Sequence, residues 1–264
     1  MRSTGLRFGV AACCAVVGLA GCASGSVARG SGNQSASVAP SKSTVTADLP
    51  AAEILQRTRA AGDQASSFTM TFDFATVPGD TNPSHLSGRL SWDRGGHCIG
   101  HIALAGKGTA DLIVSGSTTW LKPDTAFARA QYGPAAAAAL SGKYLIGPTT
   151  DPHFAAVTST SNGRQEDLCQ RGVYIQSIPD ELDDQATKLG TYVTDGVRTV
   201  GVETEGKASA GDVYIAAEGT TYLVKSVPAS GTGPTMLFSG YGKPVAFVAP
   251  KKADTLDVSE LPTR

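Results

Sequence analysis

The sequence predicts an α+β fold in which helices pack over an antiparallel β-sheet. Three observations predict it. Bulky apolar and small polar residues alternate with period two across residues 67–121, in short runs broken by Gly, Pro and Asn. The same alternation returns at Tyr192 and continues to Ser239. Helix-like or alanine-rich stretches lie before the first set of strands and between the two sets.

The domain opens with a helix over residues 49–61. Asp48 is placed to cap it, and Pro50 falls in the first turn, where its missing N–H costs little. Ala51, Ala52, Ile54 and Leu55 give it an apolar side, and Gly62 ends the pattern. In the first strand Phe68, Met70, Phe72 and Phe74 alternate with Thr69, Thr71, Asp73 and Ala75. Pro78-Gly79-Asp80 and Asn82-Pro83 make the connection to a second strand, where Leu86, Gly88, Leu90 and Trp92 alternate with polar neighbours. Arg94-Gly95-Gly96 turns the chain into a third, with Cys98, Gly100, Ile102 and Leu104 on one face and His97, Ile99, His101 and Ala103 on the other. A turn at residues 106–108 leads to strands at 110–115 and 117–121. Strands joined by links this short are antiparallel neighbours, since parallel ones need long crossovers.

The middle of the chain supplies cover for the apolar face. Residues 128–140 are alanine-rich and part helical, broken at Gly133-Pro134, and 142–145 form a short extended piece. Helical turns are expected at 151–158 and 164–171, and a surface helix or loop at 179–189, whose acidic run suits a helix N-terminus or a solvated face. Strands then recur at 197–204, 212–217, 220–227 and 235–239, with Glu218-Gly219 as a hairpin signal. Residues 111–122 echo 212–225, each ending in Thr-Thr-aromatic-Leu. Two copies indicate similar hairpins within one sheet, too few for a solenoid.

Ahead of the domain, residues 1–9 carry Arg2 and Arg7 with no acid, and 10–20 are an apolar run that ends in Leu19-Ala20-Gly21-Cys22. This is the order of a secretory signal, and its end resembles the bacterial lipoprotein box. That resemblance implies cleavage before Cys22 and its modification with diacylglycerol and palmitate, which anchors an exported protein to the outer face of the cell membrane. The competing reading is a plain secreted protein in which Cys22 is incidental; a spanning helix needs about 20 apolar residues, more than this run has. The expected organisation is a signal at 1–21, lipidated Cys22 with a Ser/Gly-rich tether at 22–47, a domain at 48–252 and a polar tail at 253–264. As a coil, such a tether spans roughly 25 to 30 Å. With Cys13 and Cys14 in the signal and Cys22 under lipid, Cys98 and Cys169 remain as one candidate disulfide in an oxidising compartment; the alternative is two buried thiols.

The charge balance, 22 basic against 23 acidic residues, has no basic stripe for a phosphate backbone, and nucleic acid is not expected as a partner. The chain lacks G-x-S-x-G, H-E-x-x-H, the phosphate-cradling glycine loop and the dinucleotide fingerprint, so no enzyme, cofactor or metal is expected. His97 and His101 share a face, but four strand residues span about 13 Å, too far for one metal ion. His85 and His153 have no recognisable partner.

One order of pieces carries a resemblance: a lipid-modified Cys and tether, then helix, aromatic meander, helical insertion and second meander. Its most telling segments are Trp92-Asp93-x-Gly95-x-x-Cys98, Gly142-Lys143-Tyr144, Gly211-Asp212-Val213-Tyr214 and Phe238-Ser239-Gly240-Tyr241-Gly242-x-Pro244-Val245. Over residues 49–252 the chain resembles the LolA-like superfamily and, within it, the actinobacterial LppX/LprG-type lipoproteins. The resemblance implies a strongly curved antiparallel sheet, an open half-barrel, with helices over its concave face and an apolar cavity between. It implies a monomer that carries a lipid, glycolipid or other amphiphile, or an envelope sensor that binds a protein partner without a usable cavity. Phe68, Met70, Phe72, Phe74, Leu86, Leu90 and Trp92 are the cavity-wall candidates, and the same residues would equally build a solid core.

Overall fold

Alternation of side chains only makes a sheet if neighbouring strands agree in register, and here they do. The computed structural model describes residues 45–74, 85–154, 168, 169, 172, 174, 178, 186–204, 211–229 and 235–262, all within the unit Lys42–Arg264. Cys22, the signal, most of the tether, the 78–83 connection and most of the turns expected across 151–189 lie outside the described residues.

The described strands are β1 (Ser67–Phe74), β2 (Leu86–Asp93), β3 (His97–Leu104), β4 (Gly108–Ser115), β5 (Thr118–Pro123), β6 (Tyr144–Pro148), β7 (Thr187–Thr194), β8 (Val197–Thr204), β9 (Gly211–Ala216), β10 (Leu223–Pro228), β11 (Thr235–Ser239) and β12 (Thr255–Asp257). They form one sheet in the order β12-β6-β5-β4-β3-β2-β1-β11-β10-β9-β8-β7. Each meander runs in sequence order, and the antiparallel pair of β1 with β11 joins them.

This sheet corrects the expected strongly curved antiparallel half-barrel. It is mixed, because β12 runs parallel to β6, and it is neither closed nor strongly curved, with β12 and β7 as separate edges. Tight coiling of a sheet needs bulges or glycine kinks repeated through its strands. Among the described pairs, register shifts occur only at Lys188/Gly190 and Leu223/Lys225, both in the second meander. The first meander pairs residue for residue from β1 to β6 with no register shift.

The α-helices whose bounds are described are α1 (Ala51–Gln64), α2 (Thr125–Tyr132) and α3 (Pro134–Ala139), and they pack on the sheet. Asp48 does not cap α1. It closes a 3-10 turn, Thr46–Asp48, and Pro50 takes the cap position without a side-chain bond. Nor does Gly62 end the helix, which continues to Gln64. The Asp124 carboxylate caps α2 by accepting the Phe127 N–H at 2.7 Å, and it accepts the Thr109 N–H at 2.9 Å, fixing the helix to β4. Gly133, at φ 90°, makes the break between α2 and α3.

Two further differences from the sequence reading concern the ends of the sheet. β7 begins at Thr187, inside the stretch expected as helix or loop. After β11, Tyr241 to Pro250 form a strap across the outer face: the Ser67 hydroxyl donates to the Lys243 carbonyl at 2.6 Å, and Phe247 stacks on His97 at 4.5 Å. The strap delivers Thr255–Asp257 to β6 as the edge strand β12.

Candidate functional site

All seven cavity-wall candidates lie on the inner face of β1 and β2. The register sets Phe68 opposite Trp92, Met70 opposite Leu90, Phe72 opposite Gly88 and Phe74 opposite Leu86, while Phe238 and Met236 extend the wall onto β11. Residues directly opposite on one face are in side-chain contact, so the wall is continuous. Gly88 is part of its construction: a Cβ there would stand 2.8 Å from the Phe72 ring and 2.6 Å from a backbone oxygen of β3.

The wall is covered. Met70, Phe72 and Leu90 are each 2% exposed, Phe68 and Leu86 are buried, and Phe74 and Trp92 are partly buried against the same core. Residues that border a void large enough for water retain accessible surface, and these retain almost none. Among the described residues the wall thus presents almost no open surface to a ligand.

One side chain of the cover meets the wall directly. Tyr174 sets its ring 5.4 Å from Phe68 and 5.2 Å from Phe238, and its hydroxyl accepts the Leu223 N–H at 3.2 Å. The Tyr241 hydroxyl donates to the Leu223 carbonyl at 2.5 Å, and Tyr222 stacks flat on Tyr241 at 3.9 Å. Room for Tyr174 over α1 comes from Gly62, where a Cβ would fall 2.0 Å from the ring. Burial pushes the Tyr174 and Tyr241 phenols above their ordinary range, and burial with the nearby Asp151 charge does the same at Tyr132. Sequence alternation had no way to select Tyr174, because no strand carries it. Tyr241 stood in a quoted motif without an assigned role.

The Cys98–Cys169 disulfide is present and ties β3 to the segment that contributes Tyr174. Each histidine meets one aspartate: His85 with Asp73, His97 with Asp93 at 3.0 Å, His101 with Asp111 at 3.0 Å and His153 with Asp151 at 2.7 Å. No group of three metal-ligating side chains occurs among the described residues. Under the strap, Thr69, Ser91, Ile99 and residues 243–246 border a depression of about 170 Å³. Small-molecule sites usually exceed about 300 Å³, so this one suits a few waters better than an acyl chain. No helix among the described residues is long and apolar enough to cross a membrane.

No protein-family model matches the chain, and no curated protein sequence matches it. Among solved structures it is similar to LprF from Mycobacterium bovis, at 17% identity and a TM-score of 0.47, covering 76% of this chain and 96% of that one. It is similar to the lipoprotein LppX from Mycobacterium tuberculosis at 12% identity and a TM-score of 0.45, covering 74% and 97%. A LolA superfamily protein from Nitrosomonas europaea aligns at 10% identity and a TM-score of 0.26, covering 79% and 98%. These are structural similarities at low sequence identity.

Proposed function

We propose that the mature protein is a non-enzymatic lipoprotein of the cell envelope, anchored through lipidated Cys22 to the outer face of the cell membrane, whose domain senses or binds a protein partner at its surface without a usable cavity. The observation that carries this reading is the burial of the apolar wall, with Met70, Phe72 and Leu90 each 2% exposed and Phe68 packed against the Tyr174 ring. The anchor is supported by Leu19-Ala20-Gly21-Cys22 and the tether that follows it. A second reading, a carrier of lipid, glycolipid or another amphiphile, is favoured by the continuity of that wall across β1, β2 and β11. In that case Tyr174 and its neighbours must move to admit an acyl chain.

One preparation separates the two readings. The acylated protein, purified gently from an actinobacterial host, is extracted with organic solvent and the extract is examined by mass spectrometry. The surface-binding reading expects only the covalent acyl groups of the anchor. A stoichiometric free lipid would overturn it in favour of the carrier. Cys22→Ser is expected to release the protein from the membrane fraction and abolish fatty-acid labelling; retention with unchanged labelling would refute the anchor.

A further inference from the structure

We propose that the tip of the β7–β8 hairpin, together with Val45, is a bilayer-contacting element that settles into the interface of the membrane holding the anchor. The proposal rests on the reading of Cys22 as that anchor. Among the described residues six large hydrophobic side chains are left exposed, and five of them fall on the β7–β8 hairpin or at the entry to the domain: Val193 is 74% exposed, and Val197, Val45, Tyr192 and Leu189 are each between 37% and 45% exposed, while the sixth, Val248 at 78%, lies apart on the strap. Val193 and Val197 flank the tight Asp195-Gly196 turn, where both residues have positive φ. Val193 pairs with Arg198 and Val197 with Thr194, so the two valines project from opposite faces of the tip.

The tether joins the domain beside this tip. The Thr46 N–H donates to the Ala217 carbonyl at 3.2 Å, and the Ala217 N–H donates to the Arg198 carbonyl at 2.9 Å. Thr46 is therefore within about three inter-strand spacings, roughly 15 Å, of Val193. Lys188 holds the same segment by donating to the Ala47 carbonyl at 2.9 Å. The tether enters the domain at this point, so an anchor at Cys22 brings this part of the domain within reach of the bilayer at least cost in chain length. Tethering raises the local concentration of the bilayer surface, and contacts too weak to bind alone become populated.

The charges select the kind of surface. Arg198 is neutralised by Glu218 at 3.1 Å, and Asp195 stands at the turn. The tip therefore has no cationic excess to favour anionic lipid; its chemistry is valine with one amphipathic tyrosine, suited to a zwitterionic interface.

The test places a reporter at the tip. Acylated mature protein carrying Val193→Trp, and separately Val197→Trp, is reconstituted in phosphatidylcholine vesicles with or without bromine on the acyl chains; Lys252→Trp at the opposite edge of the sheet is the reference. Subtraction of the unsubstituted protein removes Trp92 and Trp120. The tip reporters are expected to lose most of their added emission in brominated vesicles and the Lys252 reporter none. Equal quenching at tip and reference, or none at either, in protein whose intact mass shows acylated Cys22, overturns the hairpin proposal alone. Protein whose mass shows unmodified Cys22 overturns the anchor and this proposal together.

Discussion

Replacing Phe72 by Ala measures whether the wall is packed or lines a space. Phe72 is 2% exposed, faces Gly88 across the strand pair, and meets the Phe74 ring edge-on at 5.3 Å. Truncation removes about 100 Å² of buried apolar surface, near 2.5 kcal/mol at about 25 cal/mol per Å². Gly88 has no side chain to fall into the gap, so a void of roughly 80 Å³ persists and adds about 2 kcal/mol at about 24 cal/mol per Å³. The expected loss is thus about 4.5 kcal/mol, a large share of the 5 to 15 kcal/mol that holds a typical domain. Urea unfolding of both proteins, followed by circular dichroism, reads it as a midpoint shift of about 2 M at an unchanged slope near 2 kcal/mol per M. Thr71→Ser on the opposite face of the strand is the control, expected within about 0.5 kcal/mol. A loss below about 1 kcal/mol for Phe72→Ala would refute the packed wall, since a ring that already borders empty space leaves no new void when removed.

Gly62→Ala, which in an exposed helix interior gains close to 1 kcal/mol, is expected here to cost about 1 to 3 kcal/mol by overpacking against Tyr174; a higher melting temperature would show that the ring gives way. Replacing Cys98 and Cys169 together by Ser reopens a loop of 71 residues. The chain-entropy model puts the loss at about 4 kcal/mol, and an unchanged thermal midpoint in the double variant would remove the disulfide from the account of stability. Tyr132, Tyr174 and Tyr241 keep their protons in the fold beyond the pH at which free phenols lose them. Their contribution is whole below pH 10 and falls above it as the unfolded chain ionises, by up to about 1.4 kcal/mol per pH unit for each tyrosine. Equilibrium unfolding with phenolate absorbance at 295 nm checks this, and free titration of all tyrosines before unfolding would contradict it.

The strands of the first meander were legible because each is half-buried: one side meets the core and the other meets solvent or the strap, so the period of two is written plainly in Phe68, Met70, Phe72 and Phe74. Helix limits were less legible. Gly62 reads as a stop by local propensity, yet packing against Tyr174 keeps the helix going, and the Asp48 side chain is outcompeted by a turn that ends the tether. The start of β7, Thr187 to Thr191, was hidden for a different reason: its residues are exposed on both faces, and a strand that buries neither face has no hydrophobic period to show. The candidate wall was legible residue by residue, whereas its cover was not. Tyr174 and Tyr241 reach Leu223 from distant parts of the chain, and no local pattern records such a meeting.

The two free edges of the sheet are managed differently, which bears on what the second meander presents. At one edge β12 is only three residues long and is laid down by the strap, too short to template another strand. At the other, β7 is eight residues long and, among the described residues, no strand pairs with its outer side, the kind of edge that invites addition of a foreign strand. Two features oppose that addition. The register shifts between Lys188 and Gly190, and Gly190 sits at φ 125°, so the edge is bent where a partner would need it straight. Lys188 is drawn off to the Ala47 carbonyl, which places the start of the domain beside the same strand. The bulge lies at one end of β7 and the exposed valines at the other, so contact concentrates at the hairpin tip and its apolar side chains rather than along the hydrogen-bonding edge.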